Sequence, residues 1–311
     1  MSILRIGTRG SPLALAQAND VRARLIAAHG FSDEAVTIRV IKTSGDIIQD
    51  RPLSEVGGKG LFTKEIEEAL LVDEIDLAVH SMKDVPTVLP DGLHISTILQ
   101  REDPRDAFIS LKYASLADMP AGTVVGTSSL RRQAQVRRAR PDLRVVDFRG
   151  NVQTRLRKIA DGVADATFLA MAGLNRLGLS DRATVAIATA VMLPAVAQGA
   201  VGIEIREHDA ALARVLAPLN HNATAICVTA ERAFLAKLEG SCRTPIAGLA
   251  ELVGCVISFR GLILTPDGTG CHETVRTGDG ANAAVIGHDA GRELLSRAGP
   301  AFFNTLGLPT C

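Results

Sequence analysis

Two short segments carry residue types that could do chemistry. The first is His80-Ser81-Met82-Lys83-Asp84-Val85-Pro86, directly after the apolar run Leu77-Ala78-Val79. Loops at strand ends often carry function, although an ordinary surface turn accounts for Lys83 and Asp84 equally well at this level. The second is Gly240-Ser241-Cys242-Arg243-Thr244-Pro245. Glycine, serine and proline put Cys242 in an exposed loop. Arg243 beside it favours the thiolate, the nucleophilic form of the side chain. The other cysteines, Cys227, Cys255, Cys271 and Cys311, are scattered, and no CxxC occurs. An odd, dispersed set argues against a disulfide framework and a zinc site and suits a reducing compartment.

A third feature is a run of positive charge. Residues 131–158 hold ten basic side chains, among them Arg131, Arg132, Arg149 and Arg155, against only Asp142 and Asp147. For Arg137, Arg138, Arg140 and Arg157 the expected setting is a solvated helix face. Arg131 and Arg132 fall in the first turn of a helix, where the macrodipole disfavours cations, so a bound anion is expected there. Arginine recognises a carboxylate with two parallel hydrogen bonds, which lysine cannot match. Nucleic-acid phosphate is the competing anion. The chain as a whole is neutral, with 34 basic and 34 acidic residues, and aromatics are 3% with no Trp. Neither the charge nor the stacking surface of a nucleic-acid binder is present.

The elements that must position these residues alternate along the first two thirds. Strand patterns cover 4–7, 36–41, 77–79, 94–98, 124–126, 144–146 and 167–170. Helices are expected over 12–30, 63–71 and 152–160 and from Ser129 onward. Ser11-Pro12 is a strong helix start, serine capping and proline at the first helical position. Such alternation predicts α/β architecture with mainly parallel sheets. A faint repeat links Ile6-Gly-Thr-Arg-Gly-Ser with Val125-Gly-Thr-Ser-Ser: each runs from a strand through Gly-Thr into a serine-started helix. Two similar lobes are implied, with ligands at the carboxyl ends of the strands. The last third predicts a helix over 223–238, β-rich 247–264 and a helix over 281–298, a small α+β domain. Residues 183–203 contain no charge; Pro194, Gly199 and Gly202 interrupt them, so they are expected to form two buried strands joined by a bend, not a membrane span. Gly57-Gly58-Lys59-Gly60 lacks phosphate-loop spacing and fits a lid or a linker. Met1 to Ala16 shows no signal peptide, and a cytoplasmic, soluble protein is expected.

Several motifs coincide in order: Thr8-Arg9-x-Ser11-Pro12-Leu13-Ala14, Val56-Gly57-Gly58-Lys59-Gly60-Leu61-Phe62, the segment 80–86, Gly126-Thr127-Ser128-Ser129-Leu130-Arg131-Arg132, Phe148-Arg149-Gly150-Asn151-Val152-x-Thr154-Arg155 and Gly240-x-Cys242-x-x-Pro245-Ile246. Together they resemble the hydroxymethylbilane synthase (porphobilinogen deaminase) family from Arg5 to about Ala250. The resemblance implies two lobes like periplasmic binding proteins, 1–99 with 200–217 and 100–199, and a C-terminal domain over 218–311. It implies a transferase that joins four porphobilinogen molecules into a linear tetrapyrrole, with loss of ammonia. The primer would be a dipyrromethane cofactor, covalently held by a thioether to Cys242. Asp84 would be the catalytic residue. Ser81, Lys83, Thr127, Ser129, Arg131, Arg132, Arg155, Arg176 and Gln198 would contact the cofactor. Arg9, Ser11, Arg149 and Arg155 would receive the substrate, and Lys59 and Phe62 belong to the lid. No metal, nucleic acid or membrane partner is implied, and a monomer suffices. The chain departs from the family pattern at Glu55, where a basic residue is frequent, and at Ala197, where glycine is usual, which predicts a stiffer bend.

Overall fold

A computed structural model describes residues 4–47, 60–240 and 244–304. The chain packs as two compact units, one of 4–47, 60–102 and 199–225 and the other of 103–198, 226–240 and 244–304.

In the first unit the elements are β1 (Leu4–Arg9), α1 (Pro12–His29), β2 (Val36–Ile41), α2 (Ser44–Ile47), α3 (Lys64–Leu71), β3 (Leu77–Ser81) and β4 (Leu93–Ile98). The ser–pro start operates as its chemistry requires: Ser11 Oγ accepts from the Ala14 amide at 3.3 Å, and Gly30 closes the helix with φ 65°. One face of α1, through Ala18, Val21 and Leu25, packs on Ile6, Leu77 and Val79. Full burial of a large aliphatic side chain is worth about 1.5–3 kcal/mol, so this face fixes α1 on the sheet. The sheet order is β2-β1-β3-β10-β4, where β10 (Val201–Arg206) arrives only after the chain has built most of the second unit. β1 pairs parallel with β2 and β3, whereas β10 runs antiparallel to β3 and β4. The α7 helix (Ala210–Leu216) follows, and α8 (Asn222–Lys237) leads out of the unit.

The second unit contains β5 (Asp106–Ile109), β6 (Val124–Gly126), α4 (Leu130–Ala139), β7 (Arg144–Val146), α5 (Val152–Ala160), β8 (Ala166–Ala170), α6 (Met171–Arg176) and β9 (Val185–Ala186). Its sheet, β7-β6-β8-β5-β9, repeats the plan of the first: β6 pairs parallel with β7 and β8, and β5 antiparallel with β8 and β9. The two Gly-Thr repeats therefore occupy equivalent strands. The glycine has the same reason in both: a Cβ on Gly7 would lie 2.2 Å from Ile75 Cδ1, and one on Gly126 2.5 Å from the Phe148 ring. Each sheet is thus mixed where a mainly parallel one was expected. Helical crossovers generate the parallel pairs, whereas β4, β5 and β10 enter without an α-helix before them.

The same unit holds a meander of β11 (Ile246–Val253), β12 (Val256–Leu264) and β13 (Cys271–Asp279), backed by α9 (Ala283–Asn304). Ala247, Leu249, Leu262 and Leu264 share a core cluster with Ala134 of α4 and with Leu193. The uncharged stretch 183–203 departs from expectation. Its first strand, β9, is two residues long with Val185 exposed, and only β10 is a long buried strand. Pro194 and the left-handed Ala197 (φ 59°) hold irregular chain between them. Among the described residues no helix is long and apolar enough to cross a membrane.

Candidate functional site

The first unit carries a pocket at the carboxyl ends of β1 and β3, lined by residues that include Arg9, Ser11, Gln17, Phe62, Thr63, His80, Ser81 and Asp84. It is a small pocket, with a cavity volume of about 60 Å³. β3 delivers Ser81 to the rim, and the single turn Met82–Asp84 swings Asp84 in behind it, with Met82 buried as the anchor. Ser81 Oγ lies 2.9 Å from Gln17 Nε2, so α1 and β3 fix each other's polar groups. Arg9, at the end of β1, donates through Nε to Asp46 Oδ2 at 3.1 Å and pairs with Oδ1 through Nη2. Its guanidinium lies 4.2 Å from the Phe62 ring centre, a favourable cation–π distance. Burial works against the Asp46 charge, but hydrogen bonds from Arg9 and Thr43 outweigh it and hold the carboxyl below the usual range.

Beside this pocket is a buried acid cluster. His80 Nε2 is 2.9 Å from Glu204 Oε2, which β10 brings in across β3. Glu67 on α3 is also buried, and burial, reinforced by nearby Glu204, raises its carboxyl above the ordinary range, against the opposing influence of the neighbouring Thr63 and His80.

The second unit gathers its polar residues on α4 and the adjoining turns. Ser129 caps α4 by accepting from the Arg132 amide at 3.4 Å, and the Ser129 amide in turn donates to Thr127 Oγ1 at 3.3 Å. Arg131 and Arg132 are each only 5% exposed. The anion facing them is, in part, the protein's own: Arg131 Nη1 donates to Asp106 Oδ2 at 2.8 Å and Arg132 Nη2 to Oδ1 at 2.7 Å. Gln198 Nε2 donates to the same Oδ1 at 2.9 Å. Burial opposes ionisation of Asp106, but the charges of Arg131 and Arg132 outweigh it and hold its carboxyl far below the usual range. Arg149 lies in the turn after β7, Arg155 donates from Nε to Gly150 O at 2.8 Å, and Arg176 closes α6; all three are half-buried. Lys83 is half-buried in the first unit.

Two of the basic residues expected on solvated faces have structural partners. Arg140 donates to the carbonyls of Leu116, Ala117 and Met119 and to Asp142, and Arg137 donates to Pro266 O at 2.6 Å. The carbonyl cluster that Arg140 satisfies could not be inferred from local sequence. Cys242 and Lys59 lie outside the described residues, as does Glu55.

Sequence reasoning missed Gln17, Asp46, Glu67, Asp106 and Glu204 and gave His80 no separate role. Glu204 had a signal, a lone acid within the apolar strand 201–205, and Asp106 had a similar one, a charge at the head of Ala107-Phe108-Ile109. Gln17 and Asp46 sit in ordinary polar contexts and become visible only through their tertiary partners.

The cofactor implied by the motifs is a chain of acidic pyrrole rings, and the second unit has a fitting donor set. The Nε atoms of Arg131 and Arg132 are buried without an acceptor among the described residues. Comparison with known proteins gives the same direction. Residues 4–214 match the family model for porphobilinogen deaminase, dipyromethane cofactor binding domain, and residues 225–296 match porphobilinogen deaminase, C-terminal domain. The chain is 60% identical over 298 residues to porphobilinogen deaminase of Nitrobacter hamburgensis, covering 96% of this chain and 94% of that protein. It is 58% identical over 301 residues to porphobilinogen deaminase of Paracoccus denitrificans, covering 97% and 96%. Among solved structures, the methionine-binding protein MetQ is 14% identical with a TM-score of 0.44, over 70% of this chain and 89% of that one. With both family regions matched in order and relatives aligned almost end to end, the chain belongs to the porphobilinogen deaminase family.

Proposed function

We propose that this chain joins four porphobilinogen molecules head to tail, with loss of ammonia, into a linear tetrapyrrole. The observation that carries the reading is the pocket of the first unit, where a carboxylate, Asp84, shares one cavity with a guanidinium, Arg9, and the Ser11 hydroxyl. Porphobilinogen has both features this requires: carboxylates for the cation and hydroxyl, and a pyrrole N–H with a cationic aminomethyl group for the acid. When bound, the dipyrromethane supplies the free pyrrole carbon on which the new carbon–carbon bond forms, and Cys242 is the residue proposed to carry it through a thioether.

Each of four cycles breaks one carbon–nitrogen bond and makes one carbon–carbon bond, and water then releases the linear tetrapyrrole. The amine leaves with the bonding electrons and a proton, so positive charge spreads over the methylene and the pyrrole nitrogen of the substrate. Asp84 faces that charge as it develops, and fixed electrostatics of this kind are usually the largest catalytic contribution. The attacked carbon then sheds a proton, for which Asp84 is also the positioned acceptor. Ser81, held by Gln17, and Lys83 contribute polar contacts beside it. Arg9 and Arg149 receive the substrate's acetate and propionate groups, and Arg131, Arg132, Arg155 and Arg176 neutralise carboxylates that would otherwise be costly to desolvate. Thr127, Ser129 and Gln198 complete that set, while Phe62 stacks under Arg9 as part of a lid with Lys59. The domain reading of 1–99 with 200–217, 100–199 and 218–311 belongs to this proposal, as do cytoplasmic location and monomeric action. Intact-mass and peptide mapping should find an adduct of two pyrrole units on the Cys242 peptide. An active enzyme without it would end the reading.

A further inference from the structure

Asp106 heads β5 with no exposed surface, and its two oxygens collect Arg131 Nη1, Arg132 Nη2 and Gln198 Nε2 at 2.7–2.9 Å. Arg131 and Arg132 are consecutive on α4, and consecutive helical side chains do not face each other. A shared acceptor is what makes them converge. Their other contacts are fixed too: Arg131 Nη1 also donates to Leu193 O at 2.8 Å, and Arg132 Nη1 to Phe168 O at 2.9 Å. Two features remain unsatisfied. Both Nε groups are buried with no acceptor among the described residues. Two guanidinium charges rest on one carboxylate, which leaves the group cationic after Asp106 has been counted. A purely structural ion pair would balance its charges and close its donors; this one does neither.

We infer that Asp106 is a positioning residue for the reaction. It anchors Arg131, Arg132 and Gln198 so that the surplus charge and the free Nε donors meet the carboxylates of the pyrrole chain. The inference rests on the proposed function and adds to it the residue that sets the geometry of three proposed cofactor contacts. Asp106 touches no ligand itself; it acts through the arginines.

The test compares wild type, Asp106→Glu and Asp106→Asn, with the folded monomer isolated by size exclusion and its loaded fraction read by intact mass as the two-pyrrole adduct. Glutamate keeps the ion pair and moves it by one methylene, so a role in folding alone would leave the loaded fraction unchanged. The expected result is folded Asp106→Glu loaded at least fivefold less than wild type, and Asp106→Asn at least tenfold less. Folded variants loaded like wild type would overturn the inference. So would a failure of both variants to yield folded monomer, because the carboxylate would then serve the fold. A wild type without any adduct would remove the proposed function itself and this inference with it.

Discussion

Asp84 is held on a single turn between the buried Met82 and Val85 and opens into a cavity that already contains Arg9. A side chain in that position can respond to charge appearing in the pocket without moving. Asp84→Asn preserves the shape and removes the charge, and turnover of porphobilinogen should fall by about 100-fold or more, the cost of deleting one preorganised electrostatic partner. A consumption assay decides it: near-wild-type turnover would show that the charge is not used. Sequence made Asp84 visible because its strand, turn and flanking proline are all local. The anion demanded by Arg131 and Arg132 was also legible, from the macrodipole alone, yet its partial source was not. Asp106 lies 25 residues before Arg131, and only sheet pairing brings it beneath α4. Cys242, the most reactive-looking side chain in the sequence, falls outside the described residues.

At the scale of elements, boundaries set by caps and apolar runs matched closely. β2, β6, β7 and α5 have the bounds their patterns predict. β13 was missed because Cys-His-Glu-Thr-Val-Arg-Thr-Gly-Asp is mostly polar; it is an edge strand whose residues alternate toward solvent. The direction of β5 and β10 was illegible for a different reason, since strand orientation depends on where the chain has been and not on its local composition. The bend before β10 shows a substitution whose consequence can be weighed. Ala197 is fully buried with φ 59°, and its amide donates to Glu231 Oε2 at 2.5 Å, so the conformation is enforced. An L-residue there costs roughly 1–2 kcal/mol that glycine avoids, offset by roughly 0.5–1 kcal/mol of added chain entropy in the unfolded state. Ala197→Gly should therefore stabilise the protein by up to about 1 kcal/mol in urea denaturation. A clear loss of stability would mean that the buried methyl packs better than the strain it imposes.

For the molecule as a whole, equal numbers of acids and bases hide a strongly uneven interior. The buried Glu67 shares its surroundings with Glu204 and Glu65, which disfavour its charge, and with Thr63 and His80, which favour it. Because its folded pKa is raised, the stability linked to its proton is complete below the ordinary glutamate range, ~4.3, and is lost as pH rises through the folded value. Glu67→Gln imitates the protonated form. It should match wild type at pH 4 and exceed it at pH 8. Denaturant titrations at the two pH values would measure the difference, and equal offsets at both would refute the linkage.

The position of β10 has a consequence for how the protein is made. This strand fills the gap between β3 and β4, although β4 ends at residue 98 and β10 begins at 201. A ribosome delivers the chain from its amino end, so the earlier half cannot finish first, as a simple string of beads would. While more than a hundred further residues emerge, β3 and β4 wait with backbone donors and acceptors exposed, a template for pairing with a wrong chain. The enzyme's exposure to misassembly is thus written into its connectivity, and it ends only when the later half hands back the missing strand.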